Sequence, residues 1–137
     1  MQVNDVYEFA YKVQEADLAK ELAIEEGDAF PPVFATARMV GLMELAAARL
    51  MRPLLSDGEL SVGVNVNVNH TAATSIDAEI KLKASFLGME GKLYKFQVEL
   101  FDQGGLAGKG IHTRAIIVNE RLLEGAKKRC GDIIPTE

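Results

Sequence analysis

A long apolar segment from Val33 to Met51 most constrains how this chain can fold. Two prolines precede the segment and Pro53 follows it, so a helix with marked ends is predicted here. Its many Ala, Leu and Met residues are good helix formers, and it is apolar nearly all round. We therefore expect a central helix that the rest of the chain buries.

Glu44 is the only carboxylate in that segment. An ionised carboxylate is costly to bury without a partner, so Glu44 needs an explanation. One interpretation is structural, with the carboxylate paired to Arg38, to Arg49 or to backbone donors. The other is functional, because a carboxylate in apolar surroundings is readily tuned for acid–base or nucleophilic chemistry. The segment alone leaves both interpretations open.

Five strands are predicted, one before the helix at 6–13 and four after it at 60–69, 76–86, 93–101 and 106–118. Residues 60–69 alternate strictly, which predicts one face made by Val62, Val64, Val66 and Val68 and another made by Gly63, Asn65, Asn67 and Asn69. His70 follows in phase with the valines and is expected on the helix side. Ile76 and the alternate residues after it are likewise expected to point inward. Residues 16–26 are compatible with strand, turn or short helix, and 120–129 with a terminal helix.

The element order indicates an α+β domain in which a curved antiparallel sheet wraps around one long central helix. Short turns between the last strands imply antiparallel neighbours in hairpin succession, and this is the hotdog arrangement. The 137 residues, of which 48% are hydrophobic, suit a single domain over 1–137 with a substantial core. A helix covered on one side leaves apolar surface elsewhere, so we expect a homodimer or a higher even oligomer.

Charge and composition exclude several classes of function. A net charge of −5 argues against a nucleic-acid binder, which normally carries a basic patch. Arg38, Glu44 and Arg49 interrupt the best apolar run, so no membrane association is expected. The single cysteine, Cys130, is interpreted as incidental in a reduced compartment, and acidic residues interrupt any signal peptide, so a cytoplasmic location is expected. Two distant histidines give no metal-ligand spacing.

Thr36, Glu44 and His70 form the candidate site. Thr36 and Glu44 are eight helical residues apart, which is about 12 Å along the axis and roughly 80° in azimuth, so they could line two ends of one cleft. Thr36 is also a good helix N-cap, and His70 is open between a structural and a catalytic role. His112 is in phase with Arg114 on the last strand, where either could face a site or solvent; a structural role is favoured for His112.

Three motifs carry a resemblance to a known family. The helix FPPVFATARMVGLMELAAARLMRPLL, the later HTAAT and the final GKGIHTRAII resemble the fluoroacetyl-CoA thioesterase family of hotdog enzymes, over roughly residues 30–119. The resemblance implies hydrolysis of an acyl-CoA at a dimer interface by a threonine, a glutamate and a histidine, which fall on Thr36, Glu44 and His70. It implies no cofactor.

The same resemblance implies three substrate-binding residues. Phe30 matches a lid over the acyl pocket, Gly63 matches a glycine whose backbone N–H helps to polarise the thioester carbonyl, and Arg114 matches the family's strand arginine. Two positions depart from the fluoroacetate-specific member, because Gly27 and Arg38 stand where that member has aromatic residues. The acyl group is therefore left unassigned.

The implied chemistry gives each candidate a role. Glu44 attacks the thioester carbonyl or orients water, His70 acts as general base, and Thr36 donates a hydrogen bond that positions Glu44 or the substrate. Candidate partners for the phosphates of CoA are the cationic residues Lys92, Lys95, Lys127, Lys128 and Arg129. The alternatives are a non-catalytic hotdog protein that binds an acyl thioester or small hydrophobic ligand, and an acyl-CoA hydratase or dehydratase, against which the absence of a helix histidine counts.

Overall fold

The structure is a computed structural model that describes residues 1–131; residues 132–137 of the predicted domain lie outside this range. The principal elements, in chain order, are β1 (Val6–Lys12), α1 (Thr36–Met51), β2 (Glu59–His70), β3 (Glu79–Glu90), β4 (Leu93–Asp102), β5 (Gly105–Val118) and α2 (Asn119–Cys130). The region left open between β1 and α1 forms two 3₁₀ turns, Glu15–Asp17 and Ala19–Leu22. A third, Arg52–Leu54, contains Pro53 and ends α1.

Two strand predictions need correction. The strand predicted to begin at Ile76 begins at Glu79, because Asp77 has a φ of 69° and belongs to a turn. Ile76 is consequently exposed rather than inward-facing. The same strand continues to Glu90, and the turn predicted over 88–91 is confined to Gly91 and Lys92.

The sheet has the strand order β1-β3-β4-β5-β2, and all its pairs are antiparallel. β3, β4 and β5 are joined by hairpins as predicted. β2 does not extend this hairpin succession, since it pairs with β5 and not with β3. Residues 71–78 carry the chain from the edge strand β2 back towards the opposite side of the sheet. The pairing with β5 places Gly63 opposite Arg114.

The core lies between α1 and the inner face of the sheet. α1 contacts all five strands. Alternate residues of β3 and β4 point towards it and are buried, as the alternation predicted for β3. The largest buried apolar side chains are Phe34, Phe96, Met39, Met43, Met51, Leu82 and Leu100.

α1 is buried on one face only in the single chain, which corrects the expectation of a helix buried all round. Met39, Met43 and Ala46 are among its buried residues, whereas Ala37 and Gly41 are exposed. Residues three and four apart share a helix face, so Ala37, Gly41 and the half-exposed Glu44 form one open stripe. This stripe is uncovered in the single chain and includes the Glu44 carboxylate.

A β-bulge divides β2 into two parts. Gly63 pairs with Arg114 and Asn65 pairs with Thr113, so Val64 is an extra residue on this strand. Beyond the bulge, the predicted phase is right, and His70 lies on the helix side. Before it the phase is reversed, so Gly63 faces Glu44. Val62 thus belongs to the opposite face, and the prediction of one continuous valine face is wrong.

Across residues 1–131, no helix combines the length and apolar character that a membrane crossing requires.

Candidate functional site

The residues of the candidate site lie in two separate groups in one chain, which we call half-sites. Thr36 and His70 form the first half-site. Thr36 is the first residue of α1, but Ala35 occupies the N-cap position and no side chain caps the helix. The Thr36 Oγ1 atom instead lies 2.8 Å from His70 Nδ1, within hydrogen-bonding distance. The ring of Phe34 stands edge-on to the imidazole, with centroids 6.2 Å apart. The interpretation of Thr36 as a capping residue is therefore wrong, and its hydroxyl is committed to His70.

His70 keeps one ring nitrogen without a protein partner. Nε2 is buried and makes no hydrogen bond within the described residues, while Nδ1 contacts Thr36. Burial lowers the pKa of His70 below its usual value, so the imidazole is neutral at neutral pH. A cleft of about 300 Å³ adjoins the pair and is lined mainly by small residues, including Ala35, Ala72 and Ala73.

Glu44 and Arg114 are the charged pair of the second half-site, which also contains Gly63 and His112. Arg114 Nη1 donates to Glu44 Oε1 at 3.0 Å, while the Glu44 side chain remains 39% exposed. Arg114 also donates through Nε to Ser61 Oγ at 3.1 Å and through Nη2 to the Ser61 carbonyl at 3.0 Å. Burial lowers the pKa of Arg114 and Glu44 opposes that shift. None of the partners expected for a structural Glu44 is used, since Arg38 pairs with Asp17 and Arg49 lies over Phe9.

His112 is buried beside this pair. Nδ1 lies 2.8 Å from the Asn65 carbonyl oxygen, and Nε2 lies 3.1 Å from Arg114 Nη1 and 4.0 Å from Glu44 Oε1. Burial is the main cause that lowers the pKa of His112, and the charge of Arg114 adds to it; the Asn65 contact and Glu44 act in the opposite direction. Neither His112 nor Arg114 faces solvent.

Gly63 gives the Glu44 carboxylate room to approach β2. A Cβ atom at this position would overlap Glu44 Oε1 and would lie 3.2 Å from both Glu44 Cδ and His112 Cε1. Only glycine, which has no Cβ, leaves this space. A second cleft of about 180 Å³ opens here, lined by Glu44, Gly63, Val64, Asn65, Val66 and His112.

The two half-sites are separate within one chain. Their clefts share no lining residue, and Thr36 contacts His70 rather than Glu44. Eight helical residues between Thr36 and Glu44 account for about 12 Å of this separation. One chain thus carries both halves of the predicted group but does not join them.

Phe30 lies on an exposed segment whose two ends are hydrogen-bonded to each other. Leu18 and Phe34 form a β-bridge, and Ala19 N–H donates to the Val33 carbonyl at 2.8 Å. Phe30 itself is 46% exposed, and the next residue, Pro31, lines the cleft of the first half-site.

Asp17 anchors the base of this segment. Its carboxylate is buried and accepts hydrogen bonds from the Tyr11 hydroxyl at 2.7 Å, from Gln14 N–H at 2.8 Å and from Arg38 Nε at 2.7 Å. Burial raises the pKa of Asp17, but these donors together outweigh burial and hold it below its usual range. Arg38, which stands where the fluoroacetate-specific member has an aromatic residue, thus binds Asp17.

The five cations proposed for the CoA phosphates lie outside both half-sites. None of them lines either cleft. Lys95 is 3.6 Å from Glu90, and Lys128 is 3.7 Å from Glu124 on α2.

Two residues that support the site, Ser61 and Asp17, were missed in the sequence. Ser61, which holds Arg114, sits two residues before Gly63 and shares its face, a signal hidden by the apparent valine alternation. Asp17 is one of several acidic residues before α1, and nothing local distinguishes it. His112 was considered in the sequence, with a structural role favoured, and it is buried with Nε2 4.0 Å from Glu44 Oε1.

Comparisons with known proteins identify the family of this chain. Residues 13–120 match the family model of fluoroacetyl-CoA-specific thioesterases. A fluoroacetyl-CoA thioesterase from Streptantibioticus cattleyicolor is 42% identical over 92 residues, a stretch that spans 67% of this chain and 66% of that relative.

Solved structures extend the likeness to nearly the whole fold. A crystal structure of the fluoroacetyl-CoA thioesterase FlK superposes with a TM-score of 0.88 at 34% identity, covering 94% of this chain and 97% of that one. A thioesterase superfamily member from Thermus thermophilus gives a TM-score of 0.82 at 27% identity, over 93% of this chain and 94% of its own. A hot-dog-like protein from Thermanaerovibrio acidaminovorans, 20% identical, gives 0.84 over 97% and 96% and supports the fold alone. The expected hotdog fold is confirmed, and the chain belongs to the family of fluoroacetyl-CoA-specific thioesterases.

Proposed function

We propose that this protein is an acyl-CoA thioesterase that hydrolyses a small acyl-CoA to the free acid and CoA. The observation that carries the proposal is the half-exposed Glu44 carboxylate, oriented by Arg114 and set against Gly63 beside an open cleft. A carboxylate in such a position can attack a thioester carbonyl or orient water towards it.

We place the complete site between two subunits. β2 is a twelve-residue edge strand without lysine or proline, and among the described strands it pairs only with β5. Such an open edge favours pairing with another strand, and Val64 and Val66 are exposed along it. A second copy of β2 is the natural partner, because a twofold axis pairs a strand with itself in antiparallel register.

The β2 register supplies the link between the half-sites. In antiparallel self-pairing centred on Asn67, with Val64 as the extra residue of the bulge, Gly63 of one subunit lies opposite His70 of the partner subunit. The first half-site of each chain then meets the second half-site of the other chain. A homodimer with two equivalent sites follows.

In this arrangement, His70 and Glu44 divide the chemistry. We assign the Nδ1–H of neutral His70 as the donor to Thr36 Oγ1, which leaves a lone pair on Nε2 for a proton from water. If Glu44 attacks directly, the carbonyl–sulfur bond breaks, the CoA thiolate leaves and takes up a proton, and water hydrolyses the acyl-glutamyl anhydride. If Glu44 instead orients water, the acid forms in one step. A backbone N–H at Gly63 is the expected donor to the developing oxyanion.

Thiol release from a panel of acyl-CoAs tests the proposal. The panel contains acetyl-, fluoroacetyl-, short-branched, aromatic and medium-chain thioesters, and Glu44→Gln serves as the matched variant. We expect release that falls at least about 10²-fold in the variant while its far-UV spectrum and oligomeric state are unchanged. Saturable binding of acyl-CoA without release of thiol would instead identify a binding protein.

Trapping and labelling together separate the two roles of Glu44. Direct attack forms an acyl-Glu44 anhydride, which we expect to accumulate in His70→Ala and to be trapped there. In a single turnover in ¹⁸O-labelled water, addition of water at the glutamyl carbonyl of this anhydride leaves ¹⁸O in Glu44 and gives the acid an unlabelled enzyme oxygen. Addition at the acyl carbonyl, like activation of water by Glu44, labels only the product. Label in Glu44 or a trapped anhydride therefore shows direct attack, and the absence of both shows water activation.

A further inference from the structure

His112 has a single protonation state that fits its surroundings. The Asn65 carbonyl oxygen can only accept, so His112 Nδ1 must carry the proton of their 2.8 Å contact. The Arg114 guanidinium can only donate, so His112 Nε2 must be the acceptor of the 3.1 Å contact. The imidazole is therefore neutral, with its proton on Nδ1.

His112 Nε2 accepts the last hydrogen bond that holds the Arg114 guanidinium in place. Nη1 has two protons, of which Glu44 Oε1 takes one and His112 Nε2 takes the other. Ser61 holds the opposite side of the guanidinium through Nε and Nη2. With these four contacts the plane of Arg114 is set, and so is the direction from which it holds Glu44.

We propose that His112 is a positioning residue for Glu44 that acts through Arg114, as a neutral acceptor whose protonation disables the site. This inference rests on the proposed thioesterase function. It assigns to His112, which is buried and lines the Glu44 cleft, a role that is exerted through Arg114.

Protonation of His112 reverses its interaction with Arg114. The charged groups that face the imidazole are Arg114 on its own strand and Glu44 on α1. A proton on Nε2 repels the Arg114 guanidinium and offers a donor to Glu44 Oε1, 4.0 Å away. Glu44 is then drawn from Arg114 towards His112. Activity therefore falls in acid for two reasons, since His70 also loses its free base when protonated.

Two uncharged substitutions test the two ring nitrogen atoms of His112 separately. In His112→Gln the side-chain oxygen can replace Nε2 as the acceptor for Arg114. In His112→Asn the amide can replace Nδ1–H as the donor to Asn65, but no acceptor reaches Arg114. We expect His112→Gln to keep kcat within about 5-fold of the parent and His112→Asn to lose roughly 10- to 100-fold, with KM little changed in both. The reverse order, which a role limited to bracing β2 predicts, overturns the proposal.

The pH profile supplies a second readout. Two histidines give the parent an acid limb steeper than one proton, and we expect His112→Gln to show a one-proton limb. An unchanged limb contradicts the proposal, and this result stands even if His112→Asn does not fold. Thr113→Val is the control, because Thr113 is the adjacent buried residue on β5 and makes no side-chain hydrogen bond in the described chain; its kcat and pH profile should match the parent.

A measurement without turnover keeps this inference distinct from the proposed activity. The chain contains two histidines, so ¹⁵N spectra at neutral pH give two imidazoles, assigned by their loss in His112→Gln. We expect His112 to show protonated Nδ1 and unprotonated Nε2. The opposite tautomer or an imidazolium overturns the proposal, whether or not the parent hydrolyses any acyl-CoA. Absence of thiol release with the expected tautomer refutes the thioesterase and, with it, the positioning role given to His112.

Discussion

Gly63→Ala isolates the close approach of Glu44 to β2. The added Cβ overlaps Glu44 Oε1, and the carboxylate must retreat by roughly 1 Å to reach ordinary van der Waals contact. The backbone of Gly63 does not require positive φ, so alanine introduces no backbone strain. A misplacement of about 1 Å costs roughly 10²-fold in rate, which is about 2.7 kcal/mol of activation free energy.

The same substitution should leave the free energy of unfolding nearly unchanged. Alanine gains about 0.5–1 kcal/mol over glycine by restricting the unfolded chain. Weakening the half-exposed Glu44–Arg114 pair costs up to about 1 kcal/mol, so the two effects nearly cancel. The expected result is a large loss of kcat with a thermal unfolding temperature close to that of the parent.

Thiol release at saturating acyl-CoA and thermal unfolding are the two measurements for this variant. Gly125→Ala is the matched control, because a Cβ at Gly125 meets no atom within 4 Å and α2 lies away from both clefts. The control should keep full activity and gain slightly in stability. A Gly63→Ala enzyme with full activity would refute the reasoning, because Glu44 would then not depend on the space at Gly63.

Three further predictions concern stability and assembly. Asp17→Asn removes the negative charge that accepts hydrogen bonds from three donors. Urea titration should therefore show a loss of about 2–3 kcal/mol in the free energy of unfolding. An unchanged value would show that these hydrogen bonds make no net contribution to stability. Acidification below about pH 6.5 should lower the free energy of unfolding by at most about 1.4 kcal/mol per pH unit for each histidine. The reason is that His70 and His112 have lowered pKa values in the folded protein, so the unfolded chain binds protons that the folded chain does not. Thermal unfolding that is independent of pH from about 7.5 to 5.5 would contradict this. Val66→Lys should give inactive monomers in sedimentation experiments while Leu123→Lys on exposed α2 stays dimeric, and a dimeric, active Val66→Lys would rule out β2 as the interface.

Local pattern predicts the elements of this fold well, because each element has its own periodicity. The apolar run before Pro53 and the alternation in 76–86 point to α1 and β3 with no knowledge of the rest. The place of β2 beside β5 has no local sign, since strand pairing depends on residues some fifty positions away. The bulge at Val64 is hidden for the same reason, and only the register with β5 reveals that Gly63 turns towards α1.

The candidate site likewise combines residues that local sequence patterns reveal with residues that only the tertiary fold brings together. Thr36, His70 and Glu44 were grouped in one candidate site, and within one chain Thr36 and His70 are neighbours while Glu44 lies apart from both. The partner of Glu44 could not be chosen from the helix, where Arg38 and Arg49 were the nearer candidates. Arg114 is 70 residues away and becomes the partner only because β5 crosses behind α1 at that point. The sequence therefore identifies the reactive groups more readily than the groups that orient them.

The isolated β-bridge between Leu18 and Phe34 makes the segment between these two residues exchangeable. Because the Leu18–Phe34 bridge and the Asp17 anchor hold both ends, the 20–32 segment can change in length and composition without altering the entry of the chain into α1. Each doubling of such a loop adds only about 0.6 kcal/mol of closure entropy. We therefore expect that replacing this one surface loop reshapes the cleft that Pro31 lines, while α1 and the sheet keep their places.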